Sequence, residues 1–385
     1  MEEIDRMRTE RDRIQNPFFY ILKKCQMEFD ESCVKQVVDM GYSRGLTSLC
    51  FSRDSKFIAC GKRGGIYMFH TRTGEISTHF KSEILEKGII RSIDFSRDGK
   101  YIVAGDNFGR VFVWEVFSKK LIWYAYENDR KNRIIYISAG LRLDDNHVVK
   151  NVVACSGGGK IIVYDIESGA VVKKIEGITD SSQLECRVTA LSFSPNCQFL
   201  LYGLEIISHN RAELYCLETK KLARSVLIES NDCELTSIDF LKFCTDNVVF
   251  LGSVDEIYVA SVKIDNDRFL IDKKLRTVGH FGRKQFNEDF IVRNGISTCL
   301  SSEHKLLTIL YEFGLIEYVE IKEDEADMTY YLATGDWAPN IKDYGPNTWS
   351  PDAVLATSHD GAWIAVGNSA GFKIIDLQEV KKTFG

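Results

Sequence analysis

Only five prolines interrupt the 385 residues, and no stretch is dominated by a few residue types. A long disordered tail is therefore not expected. No apolar run reaches the roughly 20 residues that cross a bilayer. The opening Met-Glu-Glu-Ile-Asp-Arg-Met-Arg is charged where a secretory leader is apolar. There is no Asn-x-Ser/Thr acceptor site, and the eleven cysteines contain no Cys-x-x-Cys pair. Most cysteines, among them Cys50, Cys60 and Cys155, lie inside strand-like runs. They read as reduced core thiols of a cytosolic or nuclear chain. The seven histidines show no His-x-x-x-His spacing, so neither a metal nor another cofactor is expected. A net charge of −6 gives no general basic surface, which disfavours nucleic acid as a partner without excluding a local patch.

What the chain has in quantity is repetition. The stretch 46–75 aligns with 90–120: an alternating apolar strand, then Phe-Ser-x-Asp-x-Lys, then an apolar strand ending in Gly, a short polar loop, and a third apolar strand. Further copies occupy 133–169, 187–221 and 235–264, with weaker ones at 295–321 and 354–378. The spacing of about 40–50 residues and the period-two alternation predict sheets of four strands. Asp54-Ser55 and Asp98-Gly99 mark the first turn of a copy. Thr73-Gly74 and Ser168-Gly169 mark the turn into a fourth strand such as 171–177.

These phrases resemble the WD-repeat family from about residue 32 to the end. The family's Trp-Asp ending survives only in altered form, as Trp114-Glu115, Tyr164-Asp165 and Ile375-Asp376. Its Gly-His pair occurs as Gly279-His280. The resemblance implies an all-β fold, a seven-bladed WD-repeat-type β-propeller with an N-terminal α-helix, whose internal Asp–His–Ser–Trp hydrogen-bond tetrad is largely absent. The last copy ends without a fourth strand. The segment 33–41, within 32–41, is expected to supply it and latch the ring. Residues 1–31 then form an N-terminal helical arm, outside a propeller of 32–385. Ile4, Met7, Arg11 and Ile14 fall on one side of that arm at three- and four-residue spacing, and Pro17 interrupts it. Two readings of the arm remain: it docks with Phe18, Phe19 and Ile21 along the propeller's own side, or it reaches a partner. Its style is similar to heterotrimeric G-protein β subunits, and Asn16-Pro17-Phe18-Phe19-Tyr20 is similar to the retinoblastoma-associated histone-binding WD proteins.

Catalytic motifs do not survive their context. Gly367-Asn368-Ser369-Ala370-Gly371 spells Gly-x-Ser-x-Gly, but a nucleophile elbow needs a helix after it, and here a strand follows. Gly157-Gly158-Gly159 likewise precedes a strand, which offers no helix N-terminus to a phosphate. The chain is expected not to be an enzyme.

Partner-contacting candidates are aromatic and basic residues in connections, the side chains most often energetic at interfaces. Lys62 and Arg63 fall in the loop between the second and third strands of the first copy. Phe108 occupies that loop of the second copy, where an acidic turn residue is usual, and Phe313 that of the sixth. The connection 276–294 carries Arg276, Phe281, Arg283 and Lys284. The connection 335–352 carries Trp337, Tyr344 and Trp349, with three of the five prolines. Ile4, Met7 and Ile14 are the candidates on the arm. The expected role is a non-catalytic protein–protein interaction scaffold, a subunit or adaptor of a multi-protein complex. The alternatives are a peptide or histone-tail reader at the rim, and phosphoinositide or RNA binding through the basic connection.

Overall fold

Alternation of apolar and polar residues becomes strand along the whole repeat region, and every four strands close into one antiparallel sheet. The computed structural model describes residues 34–39, 46–126, 136–143, 148–157, 159–176, 178, 186–194, 197–206, 209–217, 222–228, 240–245, 248–252, 257–265, 268–278, 295–301, 306–311, 315–320, 328–333, 354–368 and 371–379.

The chain opens on β1 (Val34–Asp39). Sheet 1 then holds β2 (Ser48–Phe51), β3 (Phe57–Lys62), β4 (Gly65–His70) and β5 (Ile76–Lys81). Sheet 2 holds β6 (Ile90–Phe95), β7 (Tyr101–Asp106), β8 (Arg110–Glu115) and β9 (Leu121–Tyr126). Sheet 3 is β10 (Tyr136–Leu143), β11 (Val149–Ser156), β12 (Ile161–Asp165) and β13 (Val171–Ile175). Sheet 4 is β14 (Arg187–Phe193), β15 (Phe199–Ile206), β16 (His209–Cys216) and β17 (Leu222–Ile228). Sheet 5 is β18 (Phe240–Thr245), β19 (Val248–Gly252), β20 (Ile257–Asp265) and β21 (Arg268–Val278). Sheet 6 is β22 (Gly295–Ser301), β23 (Leu306–Tyr311), β24 (Leu315–Glu320) and β25 (Met328–Ala333). The last sheet runs in the order β1, β28 (Gly371–Asp376), β27 (Trp363–Asn368), β26 (Val354–Thr357).

That order joins the two ends of the repeat region. Val34 pairs with Ile375 and Asp39 with Gly371, so β1 is the outer strand of sheet 7. The first strand of each sheet touches the first strand of the next, and β26 touches β2, which closes a ring of seven sheets. No curvature device is needed beyond the twist of each sheet, because each one buries both faces against neighbours. Between sheets 1 and 2 lie Ala59, Ile66, Met68, Phe80, Ile93, Phe95, Ile102, Phe112 and Trp114. Val38, Leu49, Phe51, Ile58, Phe69, Phe372 and Ile374 fill the space between sheets 7 and 1. Each large side chain so buried contributes about 1.5–3 kcal/mol. Two-strand hairpins leave their turns at two ends of the ring. We call upper the end with the turns between second and third strands and the sheet-to-sheet connections, and lower the opposite end.

The Phe-Ser-x-Asp phrase is the lower turn between first and second strands. Ser52, Ser96 and Ser358 each donate a hydroxyl hydrogen bond to the aspartate two residues on, at 2.7, 2.6 and 2.5 Å. Each hydroxyl also accepts from the first backbone N–H of the next strand: Phe57, Tyr101 and Trp363. The aspartate accepts from the N–H two residues further, Lys56, Lys100 and Ala362. The residue after it turns left-handed, as Gly99 and Gly361 do at φ 72° and 65°, while Ser55 adopts φ 58°. Ser55 is not interchangeable with glycine, since its Oγ accepts from the Asp360 N–H of sheet 7 at 3.2 Å.

One sequence expectation changes. Arg276 is not in a loop: β21 continues to Val278, with Arg276 paired to Val259, so the connection begins only after it. Residues 1–33, and with them Ile4, Met7 and Ile14, lie outside the described residues, as do Phe281, Arg283, Lys284, Phe313, Trp337, Tyr344 and Trp349.

Candidate partner-binding rim

On the upper end, the connection from sheet 1 to sheet 2 is gripped by turns from both sides. It contains a short 3-10 helix, Glu83–Leu85, whose Leu85 is buried. From sheet 1, the turn between β3 and β4 holds it through an Arg63–Ile89 bridge and a Gly64 N–H to Gly88 O bond of 3.0 Å. From sheet 2, Asn107 makes a two-point clasp: its backbone N–H donates to Ile89 O at 2.9 Å and its Oδ1 accepts from Ile89 N–H at 2.8 Å.

The turn between β7 and β8 is organised by one fully buried carboxylate. Asp106 accepts from the backbone N–H groups of Phe108 and Arg110, both at 2.9 Å, and from Arg110 Nε at 2.7 Å. The Arg110 Nη2 completes an ion pair with Oδ2, and Nη1 donates to Ile84 O in the sheet-to-sheet connection. Both nitrogens meet the one oxygen Oδ2, and the charge-assisted Nε–H···Oδ2 bond is the strong contact of the pair. The fixed guanidinium then lies under the Phe108 ring, 5.0 Å from its centroid, and 5.5 Å from that of Phe112. Phe108 is 40% exposed on this support. A ring held over a pinned cation loses little freedom when a partner covers it.

Around Phe108 stand cations with no internal commitment. Arg63, Lys87 and Arg91 are exposed, and none of them has a hydrogen bond or ion pair among the described residues. Arg91 falls at a bulge between Ile90 and Ser92, outside the β6–β7 register. Glu83 and Glu86 share the same connection and temper the charge. Lys62, by contrast, ends β3 half-buried, with Nζ 6.0 Å from the Tyr67 ring, which itself stacks on His79 at 3.9 Å. Burial, and then the charge of Lys81, hold His79 below its usual value.

The structure thus brings together Arg63 and Phe108 of the sequence candidates, with Lys62 set to one side. Sequence reasoning missed Asp106, Asn107, Arg110, Lys87 and Arg91. The Asp-x-x-x-Arg spacing at the end of a strand was the available signal for the first pair. The acid expected at position 108 is present two residues earlier.

The lower end is committed to the ring itself. Arg53 donates from Nη2 to Asp94 Oδ1 at 3.2 Å and to Phe95 O at 2.9 Å, and Nη1 lies 3.3 Å from His359 Nε2. Asp94 Oδ2 accepts from the Ala139 N–H of sheet 3 at 2.8 Å. One carboxylate therefore ties three sheets. Cys60, Cys155, Cys186, Cys197 and Cys216 are buried free thiols and Cys50 is a half-buried one. Burial pushes the Cys60 thiol up to about 12. Among the described residues no helix is long and apolar enough to cross a membrane.

Residues 74–115, from the turn before β5 to the end of β8, match the family model described as WD domain, G-beta repeat. The chain is similar in shape to a chain in the crystal structure of a mitotic checkpoint complex, with 13% identity and a TM-score of 0.60, covering 89% of each chain. It is also similar to the Cps50 (Swd1) β-propeller domain of Myceliophteria thermophila, with 15% identity and a TM-score of 0.63, covering 89% of this chain and 99% of that one. Comparison with curated protein sequences yields no match. At such identities the likeness speaks for the fold alone. The fold is a β-propeller, and the repeat spanning sheets 1 and 2 is of the WD40 type.

Proposed function

We propose that this chain is a non-catalytic interaction subunit of a multi-protein assembly, and that it holds a partner protein on the upper rim of sheets 1 and 2. The observation that carries this reading is Phe108, exposed on a guanidinium pinned by Asp106, among the uncommitted cations Arg63, Lys87 and Arg91. Exposed aromatic and arginine anchors on rigid backbone are the composition of binding hot spots. The family's general use as a scaffold, and the likeness to a chain in a mitotic checkpoint complex, support an assembly role. The reduced thiols suit a cytosolic or nuclear setting.

The test is affinity capture of the tagged full chain from its native extract, with quantitative mass spectrometry of what is retained. Phe108→Ala and Arg63→Glu should each lower retention of the same proteins at least fivefold, with the circular dichroism spectrum unchanged. Retention equal to wild type in both would remove the rim of sheets 1 and 2 from the proposal. Under this reading the second contact surface is the 335–352 connection. Trp337→Ala with Trp349→Ala should then release a different subset of partners.

A further inference from the structure

Among the described residues the outer strand of each sheet is an edge, with backbone N–H and C=O groups open to pairing. Most outer strands here carry cations that discourage this: Lys35 in β1, Lys81 in β5, Lys173 and Lys174 in β13, Arg224 in β17, Lys273 and Lys274 in β21. β9 reads Leu-Ile-Trp-Tyr-Ala-Tyr and has no charge; β25, Met-Thr-Tyr-Tyr-Leu-Ala, shares that trait.

Side chains along β9 divide by face. Trp123 and Ala125 pack toward sheet 3, where Trp123 Nε1 donates to Ile166 O at 2.7 Å. Ile122, Tyr124 and Tyr126 occupy the sheet 1 side and are 38%, 49% and 54% exposed. Tyr124 stacks on Phe112, which belongs to the core between sheets 1 and 2. At the lower end the turn between β8 and β9 leaves Phe117 94% exposed. An uncharged, aromatic edge beside an apolar groove is a template for an added strand.

The chain itself carries a sequence that matches this edge. Phe18-Phe19-Tyr20-Ile21-Leu22 is uncharged and strand-prone, preceded by Pro17 and followed by Lys23-Lys24. It lies upstream of Val34, which sits opposite Ile375 at the lower, outer corner of sheet 7. Sheet 7 adjoins sheet 1, and sheet 1 adjoins sheet 2. The eleven residues 23–33 can span at most about 36 Å of extended chain toward sheet 2. We propose that residues 18–22 cover the β9 edge of the same molecule, adding a fifth strand to sheet 2 and seating their rings against Ile122, Tyr124 and Tyr126.

Hydrogen exchange of the full chain, resolved by fragmentation mass spectrometry, tests this. The β9 amides that face away from β8 should be protected at low micromolar concentration. A Phe19→Asp and Ile21→Asp double variant should speed their exchange at least tenfold while β3 and β7 keep wild-type rates, which shows the ring intact. Reciprocally, Tyr124→Asp should speed exchange across 18–22. Unchanged β9 rates in the double variant overturn the proposal. Protection that rises with protein concentration overturns it in favour of a second copy, and protection that needs an added partner does so in favour of that partner.

Discussion

The Trp114 indole is fully buried, stacked on Phe112 at 5.5 Å, yet its N–H finds no acceptor among the described residues. Its aromatic area stabilises the sheet 1–sheet 2 core, while the unmet donor costs about 1–3 kcal/mol. Trp114→Phe removes the donor along with some volume and should change stability by about 1 kcal/mol or less. Trp114→Ala leaves a cavity and should cost about 3–5 kcal/mol. Urea unfolding of both variants decides this: a large loss in Trp114→Phe would mean the indole N–H has a partner after all. Gly88 carries a different constraint. A Cβ there would meet Arg110 Nη2 and Asp106 Oδ2, both at 2.6 Å. Gly88→Ala should therefore push the ion pair apart, loosen the support beneath Phe108, and cost about 1–3 kcal/mol as an overpacking change. If partner retention and thermal midpoint both match wild type, the guanidinium is not what holds the ring.

Among the elements, the lower turns couple stability to pH. Burial alone would raise the Asp98 carboxyl. Hydrogen bonds from the Ser96 hydroxyl, the Lys100 N–H and the Asn151 amide, with the Lys100 charge, outweigh it and hold Asp98 below its ordinary value. Asp54 is lowered in the same way, its burial outweighed by the Ser52 and Lys56 hydrogen bonds and the Lys56 charge. A carboxyl lowered in the folded state contributes stability that is full above its unfolded value of about 4 and is lost as pH falls through the folded value. The thermal midpoint should drop between pH 5 and pH 3, and less steeply in Asp98→Asn; parallel slopes in variant and wild type would refute the coupling. This turn was legible in the sequence because its bonds join residues at most five apart. The clasp of Asn107 on Ile89 and the reach of Arg110 to Ile84 were not, because they depend on two sheets lying side by side. Arg276 was mistaken for loop because β20 and β21 slip register at Val259/Ala260 and Ser261/Val262, which breaks the alternation that marks a strand.

For the whole molecule, the seam at sheet 7 is where β1, from the start of the described chain, pairs with β28 near its end. Among the described residues every other sheet is built from four consecutive strands, so closure depends on β1 staying docked. Val38 is buried there beside Phe372, with Leu46, Phe69 and Ile374 in the same core. Val38→Asp would place an unpaired carboxylate in that core, which should cost more than about 3 kcal/mol. Val171→Asp, on the exposed outer strand of sheet 3, should stay within about 0.5 kcal/mol. The informative readout is where the damage spreads. Each sheet buries its faces only against two neighbours, so opening the seam also weakens interfaces further round the ring. Hydrogen exchange in Val38→Asp should rise in β28 and β2, and also in β12, three sheets away. A rise confined to sheets 7 and 1 would show that the ring opens locally and that the remaining sheets hold without closure.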